Sequence, residues 1–295
     1  MTNSSGGCRE RVRLLDSQPT VYPQLYDYEI KIVLDSGAYS AWHKKEFIDI
    51  HAYIDFCLKY KDCIDHVVNL DVIPGEWGRI PSGEEVEASA QKGWENFLLM
   101  KSAGLTVMPV FHMGERLYWL DKMMEECDYV GISPANDKHT NDKRVWLDRI
   151  FTHITDNDGW PKIRTHGFGM TSLPLLFRYP WYSADSMSWA LVGGYGKVFV
   201  PVYRDGGYRY DESPHIVSMS LKSPDMKSDD KHYFSFSDSA KKYVDDYFAL
   251  KGVTAKELME DYIRRDDLNA QFFDDLSKNY VATPFAAKRK GFLAA

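Results

Sequence analysis

Cysteine is scarce in this chain and is not arranged for work. Four occur in 295 residues, and Cys8, Cys57, Cys63 and Cys127 form no Cys-x-x-Cys pair. Scattered thiols exclude a disulfide scaffold and a cysteine zinc site, and are read as reduced, partly buried side chains. No His-x-His pair occurs either. No apolar run approaches the ~18 residues that span a bilayer, and the polar start Met1-Thr2-Asn3-Ser4-Ser5-Gly6-Gly7 has no signal-peptide core. These absences predict a soluble, cytoplasmic protein. An excess of positive charge is missing as well: with a net charge of −7 the chain is no obvious nucleic-acid coat, and global charge decides little. It does not exclude an enzyme that meets phosphates through a local basic patch. Internal repeats and low-complexity linkers are absent.

The chain is rich in material for a core, at 44% hydrophobic and 14% aromatic residues. Its apolar runs end abruptly in Asp or His, and a helix then follows. Ile30–Leu34 reads as a strand running into Asp35, and Glu46–Lys61 as a helix with Phe47, Ile50, Ile54, Phe56 and Leu58 at helical spacing. His66–Leu70 is a second strand, ending at Asp71. Gly83–Ala103 contains a helix that turns Phe97, Leu98 and Met100 inward. Leu105–Phe111 is strand-like and ends at His112-Met113-Gly114-Glu115. A helix near Arg116–Cys127, a strand at Tyr129–Ile132 and a helix at Val145–Ile154 come next. Pro161–Thr165 leads into His166-Gly167-Phe168-Gly169, a short helix covers Ser172–Phe177, and Lys197–Val202 is the last clear strand.

Strands and helices alternating at roughly thirty-residue intervals predict parallel βα units. Polar residues gathered at the strand C-termini favour a TIM-type (β/α)8 barrel, allowing for irregularity, over an open sheet. Residues 204–237 are polar and predict an excursion or irregular sheet. Helices are predicted at Ser237–Lys251, Thr254–Arg265 and Asp267–Asn279, with Thr254 and Glu257 as a capping box. The expected organisation is a barrel over 1–236 with C-terminal helices, 237–295, packed on it or completing it.

The run Trp181-Tyr182-Ser183-Ala184-Asp185-Ser186-Met187-Ser188-Trp189 carries one acid through an aromatic, β-leaning stretch. A carboxylate at the end of a buried strand is costly unless paired or used, so Asp185 is expected as a nucleophile. Asp35 and Asp71 stand at other strand ends, where an Asx-turn is the competing reading. Three carboxylates in one pocket suit a nucleophile with an acid/base partner, and paired carboxylates are the recurring device for breaking glycosidic bonds.

Leu34-Asp35-Ser36-Gly37-Ala38-Tyr39 resembles the Asp-Ser-Gly-Gly-Phe/Tyr motif of the tRNA-guanine transglycosylase superfamily. Val110-Phe111-His112-Met113-Gly114 resembles its Val-Gln-Gly-Gly segment, and Tyr129-Val130-Gly131-Ile132 its base-binding Gly-Leu strand. His166-Gly167-Phe168-Gly169 is similar to its Met-Gly-Val-Gly turn, and Ala184-Asp185-Ser186 falls at its Phe-Asp-Cys nucleophile. Order and approximate spacing hold over about residues 35–200.

The resemblance implies a barrel enzyme that exchanges guanine for a 7-deazaguanine base such as preQ0 through a covalent glycosyl-enzyme. By motif, Asp185 attacks C1′ and Asp35 is the general acid/base. Asp71 reads the base edge, and the backbone at Gly131 and Ile132 meets its O6 side. His112 lies by the 7-substituent, while Tyr39 and His166 sandwich the ring beside Gly167. No cofactor and no metal are implied. The family's Cys-x-Cys-x-x-Cys zinc site is absent, His112 replaces Gln, His166 replaces Met and Ala38 replaces Gly. In this the chain resembles the compact phage-type branch, which makes DNA the expected acceptor and protection of phage DNA from restriction the expected role. Lys138, Lys143, Arg144 and Arg204 are the expected phosphate contacts, with the tail Lys288-Arg289-Lys290 a weaker candidate. The alternatives are tRNA as acceptor, a non-catalytic base-binding relative, and a metal-dependent barrel hydrolase built on the same strand-end residues.

Overall fold

A computed structural model describes residues 31–286 apart from 77, 136–137, 171 and 228–230. Expectations for the first thirty residues, Cys8 among them, and for the tail Lys288-Arg289-Lys290 fall outside the described residues. The fold is mixed α/β with parallel sheets, and the chain divides into two units, Met1–Ala135 with Ile163–His166, and Asn136–Lys162 with Gly167–Ala295. The predicted C-terminal helices lie inside the second unit. No helix among the described residues is long and apolar enough to cross a membrane.

The first unit opens with β1 (Val33–Leu34), α1 (Ala38–Lys44) and α2 (Ile50–Lys59). The helix predicted from Glu46 starts at Ile50 because Asp49 caps it, its carboxylate accepting from the Ala52 N–H at 2.9 Å. Phe47 is left outside the helix and is 89% exposed. The buried stripe is Tyr53, Ile54 and Cys57, so Phe56, expected inside, faces outward. Then come β2 (His66–Val68) and α3 (Gly83–Ser102), the latter begun by a Ser82–Glu85 capping box. Phe97 and Met100 pack inward as expected, on one stripe with Ala90, Gly93 and Trp94; Leu98 falls off that stripe and is exposed.

The stretch predicted as one strand over Leu105–Phe111 is two, β3 (Val107–Met108) and β4 (Val110–His112). Pro109 stands between them, with no N–H to give a ladder. β1 pairs parallel with β2 and β2 with β3, while β4 pairs parallel with β5 (Tyr129–Ser133), after α4 (Leu117–Glu126). β5 in turn neighbours β6 (Arg164–Gly167). Neighbours in this unit therefore follow chain order.

In the second unit α5 (Thr140–Ile154) starts five residues before the predicted Val145. Its inner ring Phe151 stacks on Tyr179 and meets Phe285, whose N–H donates to the Gly159 carbonyl at 2.9 Å. α6 (Leu173–Arg178), β7 (Ser183–Ala184) and α7 (Ser188–Gly194) follow. β8 (Lys197–Val200) alternates its side chains, Val198 and Val200 entering one apolar cluster and Phe199 another. The predicted irregular region is antiparallel: β9 (Val202–Arg204) and β10 (Gly207–Arg209) form a hairpin, and β11 (His215–Ser218) pairs with β8. The hairpin turns at Asp205-Gly206, both at positive φ (54° and 81°), as a two-residue turn of this hand requires.

α8 (Asp238–Leu250), α9 (Ala255–Glu260) and α10 (Tyr262–Asn279) close the described chain. The Thr254–Glu257 capping box is present. The break predicted near Asp267 lies instead at Asp261, whose carboxylate accepts from the Ile263 N–H and starts α10. α10 comes so close to α7 that a Cβ on Gly193 would sit 1.9 Å from Asp266 Oδ1.

Candidate active site

Parallel neighbours put strand C-termini on one edge. In the first unit β1 runs toward Asp35, β2 toward Asp71, and β4 and β5 end in register at His112 and Ser133. Asp35 is exposed and its Oδ1 accepts from the Ser36 N–H at 2.9 Å. Gly37 enters α1 with φ 74°, a conformation that favours glycine. Tyr39, on that helix, is exposed, with its ring 6.1 Å from Trp42. In β5, Gly131 gives its N–H to the Pro109 carbonyl at 2.8 Å, and Ile132 is a fully buried core residue. His166 is buried with its ring edge-on to Tyr129.

The structure brings Asp71 and His112 together. His112 Nε2 and Asp71 Oδ2 are 2.7 Å apart, and about a tenth of each side chain is exposed. Burial opposes a charge on His112, but the hydrogen bond and charge of Asp71 outweigh it and raise the His112 pKa. The pair faces a small cavity, with room for about one water, lined by Val72, Gly93, Trp94, Val110, Glu115 and Met123 among others. Val110 and His112 share the face of β4 that α3 and α4 cover.

Glu115 completes this cluster and was not among the sequence candidates. Burial above all pushes its carboxyl up to about 7, against the pull of His112. Its one signal was position, three residues after a strand-end His.

The pH dependence of stability follows from the sign of these shifts. In the unfolded chain Glu115 ionises near the ordinary glutamate value of 4.5, and burial in the folded chain pushes it up to about 7. Over that window the unfolded state loses the proton first, so stability falls as pH rises. The raised His112 pKa acts in the same sense, its stabilising charge being lost as pH climbs through the folded value. Glu115→Gln removes the carboxyl contribution. Urea titrations at either end of the window are expected to show wild type losing about 1–3 kcal/mol more than this variant; equal losses would mean that Glu115 ionises normally.

In the second unit Asp185 follows the two-residue β7 and is exposed. This corrects the expectation of a carboxylate at the end of a buried strand: Ala184 and Asp185 both lie at the surface. Asp185 instead fastens the 167–170 turn. Its N–H donates to Gly167 O at 3.2 Å, its Oδ1 accepts from Gly169 N–H at 2.6 Å, and its carbonyl accepts from Met170 N–H at 3.0 Å. A Cβ on Gly167 would press within 3.3 Å of Trp181 and Met170.

Of the expected phosphate contacts, Lys138 and Lys143 are half-buried, and Arg144 on the first turns of α5 is exposed and donates to Asn141 Oδ1. Arg204 is exposed at the end of β9 and paired with Glu212 at 3.0 Å, which neutralises it in place. Among the described residues no group of three or more His, Cys, Asp or Glu side chains is arranged to hold a metal ion. No protein-family model matches the chain, and no curated protein matches it.

Proposed function

We propose that this chain is a barrel-type transglycosylase that exchanges guanine in DNA for a 7-deazaguanine base of the preQ0 kind. The observation that carries the reading is the set of residues at the C-terminal ends of neighbouring parallel strands: Asp35, Asp71 and His112, with the last two joined at 2.7 Å. Open doubly wound sheets reverse their strand order at a switch point, whereas barrels keep neighbours in chain order. From β1 to β6 the order does not reverse.

In the proposed reaction a flipped nucleotide presents C1′ to Asp185. An Asp185 oxygen forms a bond to C1′ as the C1′–N9 bond breaks, and Asp35 gives its proton to the departing guanine. Asp35 then takes the N9 proton of the 7-deazaguanine, which attacks C1′ and releases the Asp185 carboxylate. Asp71 and His112 meet the polar edge of the base, with Gly131, Ile132, Tyr39 and His166 around the ring. Lys138, Lys143 and Arg144 supply positive charge for the strand. The lack of a Cys-x-Cys-x-x-Cys pattern in this sequence supports DNA over tRNA.

The test is base exchange with preQ0 on duplex DNA, single-stranded DNA and tRNA, read by mass spectrometry of the digested nucleosides. Modified deoxynucleoside is the expected product. Modified ribonucleoside would move the acceptor to tRNA, and no product from any acceptor would remove the reading.

A further inference from the structure

The end of β2 outruns β1, and side chains take over where the ladder stops. Val67 and Asn69 turn to β3, donating to the carbonyls of Thr106 and Met108 at 2.9 Å each. His66 turns the other way, donating to Ile32 O at 3.4 Å, so by alternation Val68 and Leu70 are also directed toward β1. β1 ends at Leu34, where the Ser36 N–H turns to the Asp35 carboxylate. Tyr53 of α2 then donates its hydroxyl to Val68 O at 2.9 Å. α3 serves Leu70: Asn96 Nδ2 donates to its carbonyl at 2.8 Å, and Met100 Sδ accepts from its N–H at 3.4 Å. Asn69 ties the strand back to α3, its Nδ2 donating to Gly93 O at 2.9 Å. At Gly93 the helix backbone comes so near that a Cβ would touch Val72 N at 3.7 Å and Asp71 Cα at 3.9 Å. Both asparagines are buried, where an amide is costly unless it is bonded.

We propose that Asn96 is a positioning residue for Asp71, holding the end of β2 so that the Asp71 carboxylate keeps its 2.7 Å hydrogen bond to His112. What this does for a reaction rests on the transglycosylase reading, in which Asp71 meets the base; the hold on the Asp71–His112 pair does not. One peptide unit separates the Leu70 carbonyl from Asp71 Cα, so a shift of the first carries the second with it. A slip of about 1 Å would take the carboxylate out of hydrogen-bond range of His112. Tyr53 acts further back, at Val68, and Asn69 acts on the helix. Asn96 is therefore the side-chain tie nearest to the carboxylate on the strand itself.

The experiment compares two variants of the full chain. Asn96→Leu is close in shape and removes the donor, whereas Ser82→Ala loosens the same helix at its capped start and leaves Leu70 alone. The first readout is the low-field imidazole N–H proton of His112, found by NMR with isotope-labelled histidine and identified by its loss in His112→Gln. It is expected in wild type and in Ser82→Ala, and in Asn96→Leu it is expected to be lost to exchange with water. The second readout is base exchange with preQ0. Asn96→Leu is expected to raise KM for the base about tenfold and to leave kcat within about twofold, while Ser82→Ala moves neither. A proton and a KM unchanged in Asn96→Leu, or changed as much in Ser82→Ala, would overturn the proposal. A proton lost only in Asn96→Leu, in a chain that exchanges no base on any acceptor, would overturn the transglycosylase reading and uphold the positioning. Should Asn96→Leu not fold, Asn96→Ser, whose hydroxyl is too short to reach Leu70 O, is read in the same way.

Discussion

Asp185→Asn is expected to fold normally and to lose base exchange by about 10³-fold or more, with no covalent adduct to nucleic acid. The choice of Asn matters, because Asp185 also has a plain structural task. Its Oδ1 accepts from Gly169 N–H, fastening the 167–170 turn. Asn keeps an acceptor oxygen there, so the turn remains tied while the proposed nucleophile is gone. Asp185→Ala removes both and is expected to cost a further ~0.5–2 kcal/mol of stability, of the order of a lost cap. The pair of variants thus separates chemistry from fastening. Full exchange by Asp185→Asn, measured with the acceptor that wild type modifies, would leave Asp185 as a turn residue and nothing more. In the proposed reaction this exposed carboxylate acts through its placement against C1′.

Asn269→Leu is expected to cost about 3–6 kcal/mol, a large share of the stability of an ordinary domain. Asn269 is fully buried on α10 and makes three bonds at once. Its Oδ1 accepts from Phe199 N–H at 2.9 Å, and its Nδ2 donates to the carbonyls of Trp189 and Lys197 at 3.0 and 3.2 Å. One side chain thereby satisfies backbone groups of α7, β8 and the residue that begins β8. Leucine fills the space and strands one N–H and two carbonyls, each worth about 1–3 kcal/mol when buried unpaired. Asn269→Asp should fare no better, since it keeps the bond to Phe199 but turns a carboxylate oxygen toward two carbonyls. Urea unfolding followed by near-UV circular dichroism reads the loss. A shift below about 1 kcal/mol would mean that neighbouring groups or water take over the three bonds.

Much of the frame was legible because its causes are local. Thr254 and Glu257 announce a helix start with no outside help, and the stripe Ala90, Gly93, Trp94, Phe97 and Met100 sets the inner face of α3 by spacing alone. Pro109 and Asp49 are local signals too: one divides a strand, the other shortens a helix. Phe47 and Phe56 misled because hydrophobicity says what prefers to be buried and not which neighbour arrives to bury it.

The candidate site was legible only as a series of strand ends. That Asp71 and His112, forty-one positions apart, share a hydrogen bond depends on the pairing of β2 with β3 and the turn after β4. Glu115 was hidden for the same reason, since a surface glutamate and a buried one are identical in sequence. Asn269 and Arg265 look like ordinary polar residues of an amphipathic helix. They are buried because α7 approaches α10 closely enough to accept hydrogen bonds from both, Gly193 O from Arg265 at 3.0 Å.

The seat of Phe285 has a consequence for synthesis. Its ring and its N–H meet Phe151, Tyr179 and Gly159, more than a hundred positions earlier in the chain. A nascent polypeptide reaches α5 long before it can supply that last aromatic plug. Until then the rings of Phe151 and Tyr179 keep an uncovered apolar face, and the growing chain has a sticky spot for chaperones or for its neighbours on the same message.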